Sequence, residues 1–183
     1  MIFHEKTIKS EEIFKGQIIT VRVDTIALPD ERTATREIVD HSGGVCVVPV
    51  TENGEVIMVK QFRKAVESAV LEIPAGKLNK GENHYDCGVR ELEEETGYKS
   101  GKMVYLGHVF PSPGFVNETI HIYLAAELQK CEQNLDADEY LDVEKLPIDI
   151  VVDMIMKNEI NDSKTIAGIF KAREWLSRDI SKS

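Results

Sequence analysis

The chain has little of what a secreted, membrane or nucleic-acid-binding protein needs. Its three cysteines, Cys46, Cys87 and Cys131, are widely separated and in no CxxC or metal-ligand spacing. An odd number so placed predicts reduced thiols, not a disulfide framework. Lys and Arg number 22 against 32 Asp and Glu, a net charge of −10, so the basic surface that nucleic acid or an anionic membrane requires is missing. No apolar run approaches a membrane span, and the start MIFHEKTIKSEEIFKG lacks an apolar signal core; the cytoplasm is the expected compartment. No internal repeat, low-complexity tract or Pro/Gly-rich linker divides the 183 residues. That length suits one domain with a sizeable core, or a compact domain with a small appended element. No histidine pairs with a serine or cysteine in a recognisable nucleophile motif, and His108 and His121 read as structural.

What is present begins with strands. From Lys6 to Leu28 polar and apolar residues alternate on either side of Lys15-Gly16, which predicts two strands of a half-exposed antiparallel sheet. TREIVDH predicts another strand. Asn53-Gly54 between VCVVPV and EVIMVKQF predicts a hairpin with a type I′ turn. AVLEIPAG reads as one short strand leading to Gly76. KMVYLGHVF and ETIHIYLAAEL are strands separated by Pro111-Ser112-Pro113-Gly114. CEQNLDADEY is an acidic loop and LDVEKLP a last strand. Pro147 starts a helix to about Lys157, and Asp162-Ser163 caps a final helix to about Arg178, with Ile166, Ile169, Phe170 and Leu176 on its core side. The order predicts an α+β fold, a mixed α/β/α sandwich.

The stretch GKLNKGENHYDCGVRELEEETGY, Gly76 to Tyr98, carries the chemistry. If Asn83 to Thr96 is helical, Glu91, Glu94 and Glu95 stand at i, i+3 and i+4 on one face. Glu93 points the opposite way. Tyr85, Val89, Leu92 and Thr96 form a mostly apolar stripe for packing on a sheet, so the acids are expected to face out of the core. Like charges at this spacing repel, and a divalent cation turns the repulsion into coordination by hard carboxylate oxygens suited to Mg²⁺ or Mn²⁺. Taken alone, three glutamates in so acidic a chain also fit a solvated helix face. The fixed offsets of Gly76, Glu82, Arg90 and Gly97 argue against that, since Gly76 and Gly97 bracket the helix and Arg90 can tie it to Glu82.

Those offsets resemble the Nudix box, G-x5-E-x7-R-E-U-x-E-E-x-G-U, in every fixed letter, with Tyr98 where the pattern has an aliphatic residue and Cys87-Gly88 where relatives commonly have alanines. LEIPAGKL before the helix, SPGFVNE after it, KQFR and REIVDH are similar to the ADP-ribose pyrophosphatase branch. The resemblance implies the Nudix fold, a mixed sheet between helices, with residues 1–38 as an antiparallel strand extension used for dimerisation and 39–183 as the hydrolase domain. It implies metal-dependent hydrolysis of ADP-ribose to AMP and ribose 5-phosphate, with two or three Mg²⁺ (or Mn²⁺) ions on the Ala75 carbonyl, Glu91, Glu94 and Glu95, and Glu82 on a further ion. Glu82 and Arg90 are implied as structural partners. The implied base is Glu139, with Asp136 and Asp138 as alternatives in the same loop. Arg63 is implied as a phosphate ligand, or is an exposed strand-end charge. Arg36, Glu37, Ser112, Gly114 and Glu118 are implied around the nucleotide. The resemblance also implies a homodimer. Rival readings are a pyrophosphatase for another nucleotide sugar such as GDP-mannose, or a non-catalytic ADP-ribose sensor, which would be expected to have lost box acids.

Overall fold

The computed structural model describes residues 2–135, 137 and 139–180. Asp136 and Asp138 therefore lie outside the described residues. Two compact units form, one from residues up to 43 with 110–119, the other from 44–109 with 120 onward.

The first unit is a three-stranded antiparallel sheet, β1 (Lys6–Lys15), β2 (Ile19–Ala27) and β3 (Thr33–His41), in that order. The expected turn is closed by the Gly16 N–H donating to Ile19 O at 2.9 Å. Residues 110–119 run beside β3, where Val39 N–H donates to Phe115 O at 2.8 Å and Asn117 N–H to Val39 O at 3.1 Å. β1 is exposed along its whole length, with Ile8 58%, Ile13 64% and Phe14 54% accessible.

The second unit holds β4 (Gly44–Pro49), β5 (Glu55–Arg63), β6 (Ser68–Glu72), β7 (Ala75–Lys77), α1 (His84–Thr96), β8 (Tyr98–Val109), β9 (Ile120–Lys130), β10 (Leu141–Pro147), α2 (Ile148–Met156) and α3 (Ser163–Ile180). One sheet runs β7-β4-β9-β8, with β4 and β9 parallel, and another runs β10-β5-β6. β4 is buried at every position because both of its faces are covered. Val45 and Val47 pack with Cys87 and Leu92 of α1. The alternate residues Cys46 and Val48 pack in a cluster with Ile122, Leu124, Val151 of α2 and Ile169 and Ala172 of α3. The expected α+β sandwich is what forms.

Three local expectations are corrected. Asn53-Gly54 does sit in a turn, with Gly54 at φ 76° and its N–H on Thr51 O at 2.9 Å. Asn53 has no positive φ, however, so the turn is not type I′. Nor is it a hairpin of two paired strands, because β4 and β5 enter different sheets after the single bridge Val50–Val56. AVLEIPAG is likewise two strands, β6 and β7, parted at Ile73-Pro74 and shared between the sheets. Phe170 is 39% exposed; Ala172 takes the core position instead.

Candidate active site

Helix α1 is set by its ends. Asn83 Oδ1 accepts the Tyr85 N–H at 2.8 Å, and Gly97, in the left-handed region at φ 68°, donates its N–H to Glu93 O at 3.0 Å. A Cβ on Gly88 would stand 3.2 Å from Val45 Cγ2, so the departure Cys87-Gly88 accompanies close approach of the helix to β4.

Two of the three acids do not face outward; Glu94 alone remains partly exposed. Glu91 is 8% and Glu95 2% exposed, and they share the buried face with Gly88, Leu92 and Thr96, while Tyr85 of the expected apolar stripe is 46% exposed. The reason is β7, which supplies polar backbone on that side. The Ala75 N–H donates to Glu95 Oε2 at 2.9 Å. A Cβ on Gly76 would lie 1.8 Å from Glu91 Oε1, so the first box glycine leaves room for a carboxylate. Arg90 binds Glu82 at 3.1 Å, Glu91 at 2.8 Å and Glu94 at 2.8 Å, and Glu82 also accepts the Asn79 N–H at 2.8 Å. The expected Glu82–Arg90 pairing forms.

Burial pushes the Glu95 carboxyl up to about 8; the Ala75 N–H opposes this, and Glu91, Glu139 and Glu72 add to it. Burial also raises Glu91, Arg90 pulls it down, and Glu94 and Glu139 push it up. Glu139 is thus electrostatically coupled to both acids. Its loop is rooted on the helix: Cys131 N–H donates to Gly97 O at 2.8 Å, Gln133 Nε2 to Glu95 O at 2.6 Å and Asn134 N–H to Glu94 O at 3.2 Å. Glu139 lines a surface cleft of about 430 Å³ with Lys60, Gln61, Phe62 and Tyr140.

Arg63, at the end of β5, is not a bare strand-end charge. Its Nε donates to Oε1 of Glu72, a carboxylate only 1% exposed, at 2.7 Å. The other oxygen of Glu72 takes Lys164, which also holds Asp162 at 3.0 Å. Sequence reasoning missed Glu72 and Lys164; the signal was a lone acid in the apolar run AVLEIPAG and a lysine just inside a helix start. It also missed a cluster on α1, β8 and β9, where His84 and His121 stack at 3.9 Å and Tyr123 and Tyr105 hydroxyls reach their Nδ1 atoms at 2.6 and 2.9 Å.

In the first unit, Arg36 and Gly114 line a pocket of about 480 Å³ with Glu5, Arg22, Phe115 and Asn117. Arg36 is paired with Glu5. Glu37 is exposed and, being its neighbour on β3, points to the other face of the strand, so the two are not brought together. Ser112 O closes the turn by accepting the Phe115 and Val116 N–H groups. Glu118 lies 3.3 Å from His41 Nδ1.

Among the described residues, no three Asp, Glu, His or Cys side chains form a cage able to hold a metal by themselves. Mg²⁺ seldom needs one, since it takes one or two carboxylates and completes its shell with waters and substrate phosphates. Two buried glutamates with raised pKa values, lying against the Ala75-Gly76 backbone, fit such a shared ion.

Fold and site together define a hydrolase of the diphosphate-cleaving kind, and the comparisons place it. The NUDIX domain family matches residues 40–167 and the nucleoside diphosphate sugar hydrolase N-terminal domain matches residues 5–39; the chain belongs to the Nudix hydrolase family. Nudix hydrolases generally need divalent metal ions. It is 44% identical to the ADP-ribose pyrophosphatase of Bacillus subtilis over 90% of each chain. It is 45% identical to the methanol dehydrogenase activator of Bacillus methanolicus over 92% of each. Its fold matches a crystal structure of an ADP compounds hydrolase with a TM-score of 0.86, at 20% identity, over 98% of this chain and 97% of that one. Among the described residues no helix is long and apolar enough to cross a membrane.

Proposed function

We propose that this enzyme hydrolyses ADP-ribose to AMP and ribose 5-phosphate, using two or three Mg²⁺ or Mn²⁺ ions. The observation that carries the reading is the contact of Glu91 with Gly76 and of Glu95 with the Ala75 N–H, which gathers two box carboxylates at one backbone corner. The name of the B. subtilis relative supports the choice of substrate. Glu91, Glu94, Glu95 and the Ala75 carbonyl hold the ions, with Glu82 available to a further one. When bound, such ions lower the pKa of a water and neutralise charge developing on the leaving phosphate. Arg90 holds Glu91 and Glu94 in place, and Arg63 takes a phosphate oxygen. Glu139 accepts the proton of the attacking water. Water adds across one P–O bond of the diphosphate, so no covalent intermediate with the chain is needed. Arg36, Ser112, Gly114 and Glu118 contact the nucleotide; Glu37, on the other face of β3, is not among these contacts. The fully exposed, partly apolar β1 supports a homodimer, and three free cysteines agree with a cytoplasmic setting.

The test is turnover of ADP-ribose and GDP-mannose in ¹⁸O water with Mg²⁺, the labelled product being identified by mass spectrometry. AMP and ribose 5-phosphate from ADP-ribose are expected. Faster turnover of GDP-mannose would move the reading to another nucleotide sugar, and tight ADP-ribose binding without turnover would make the protein a sensor. A second reading, activation of a dehydrogenase through the same hydrolysis, is favoured by the B. methanolicus relative. Adding the protein or its Glu139→Gln variant to methanol dehydrogenase tests it; stimulation by the parent alone is expected.

A further inference from the structure

Glu72 is shared between two cations. It ends β6 at 1% exposure, gives Oε1 to Arg63 Nε at 2.7 Å and gives Oε2 to Lys164 Nζ. Lys164 is the second residue of α3, where the positive end of the helix dipole opposes its charge. Its side chain is only 13% exposed, and burying a lysine costs more than burying a methionine of similar length. Asp162, which caps the helix by accepting the Thr165 N–H at 3.0 Å, is its second partner. A residue that breaks two local rules marks a functional or strained position.

The geometry of an arginine fork shows what the lysine does. A guanidinium facing a carboxylate with both oxygens open docks through two parallel bonds. Here one oxygen is already taken, and among the described residues Arg63 bonds to the protein through Nε alone. Its two terminal nitrogens are left over. The segment is also fixed from behind: Thr165 Oγ1 accepts the Ile73 N–H at 3.0 Å and donates to Asp162 Oδ2 at 2.6 Å. The start of α3 thus clamps both residues that precede Pro74 and the metal-side Ala75.

We propose that Lys164 is a positioning residue for the phosphate-binding arginine: by holding Glu72 Oε2 it limits the Glu72–Arg63 pair to one bond and leaves the terminal nitrogens of Arg63 to a ligand's phosphate oxygens. This rests on the role given above to Arg63. Without the lysine, Glu72 takes Arg63 bidentately and withdraws it from the ligand.

The test is a double-mutant cycle on the full chain with Arg63→Ala, Lys164→Met and both together. ADP binding is read by calorimetry and ADP-ribose turnover by steady-state kinetics. Lys164→Met is expected to weaken ADP binding and raise KM by about five- to tenfold with kcat within about twofold, the scale of one charge-assisted bond. The double variant is expected to be no weaker than Arg63→Ala alone, and Lys164→Arg to restore KM. Unchanged ADP affinity in Lys164→Met, or losses that add fully in the double variant, would overturn the proposal. If Lys164→Met does not fold, the cycle is run in Asp162→Asn, where asparagine still caps α3 and no second carboxylate is left without its cation. A parent that binds ADP without hydrolysing ADP-ribose refutes the proposed reaction, while the binding cycle still decides the lysine. A parent that hydrolyses ADP-ribose but does not bind ADP overturns the proposal for the lysine and leaves the reaction standing.

Discussion

Replacing Glu95 by glutamine should make the metal-free protein more stable while abolishing its turnover. Glu95 is 2% exposed and its carboxyl stands at about 8 against an ordinary 4.5. A folded-state pKa above the unfolded one means that the fold binds the proton more tightly. Its contribution is fully present below pH 4.5 and is lost as the pH rises to about 8. At about 1.4 kcal/mol per unit, ionising Glu95 costs the metal-free fold about 4 to 5 kcal/mol by pH 8. Glutamine cannot ionise, and its Oε1 can keep the 2.9 Å bond from the Ala75 N–H. In urea denaturation with chelator present, parent and variant should have similar stability near pH 5. At pH 8 the variant should be several kcal/mol more stable, with a Tm about 10 °C higher. A smaller slope should remain in the variant, because Glu91 is raised by burial too. Divalent cation should stabilise the parent more at pH 8 than at pH 6, and the variant little at either. Equal pH slopes for the two metal-free proteins would refute the reasoning.

Gly76→Ala should lose metal-dependent turnover with little change in Tm, because the new Cβ meets only the carboxylate end of the Glu91 side chain, 1.8 Å away, and no backbone; metal titration with kinetics checks it. Glu139→Gln should lower kcat about 10²-fold with little change in substrate affinity. If Asp138→Asn shows the large effect instead, the base lies one residue earlier. Light scattering should give a dimer for the full chain and a monomer after deletion of residues 1–28; an active monomer at micromolar concentration would exclude the dimer.

The helix, its Gly97 end and the Glu82–Arg90 pair were legible because each depends on residues within one stretch of sequence, although Asn83 proved to be the cap and not the first helical residue. The order of strands was legible for the same reason. Which strands pair was not: Asn53-Gly54 carries the turn signal of a hairpin, but the partners of β4 are β7 and β9, fixed by contacts distant in sequence. The orientation of α1 was misjudged because a hydrophobic stripe assumes that buried means apolar. Here the polar backbone of Ala75-Gly76 makes a buried place for two carboxylates, and no periodicity in the helix reports that. The pairing of Lys164 with Glu72 was invisible in the same way, since the two lie 92 residues apart.

The bonds from Cys131, Gln133 and Asn134 to the carbonyls at the end of α1 bear on how this protein opens. The root of the Glu139 loop and the last turn of the acid-bearing helix satisfy each other's backbone groups, so neither can exchange its amide protons by fraying alone. They belong to one cooperative unit. In hydrogen exchange, the amides of Cys131, Asn134 and Gly97 should share a single opening free energy. The carboxylates of α1 and the first residues of the segment that leads to the proposed base would then be lost and regained together.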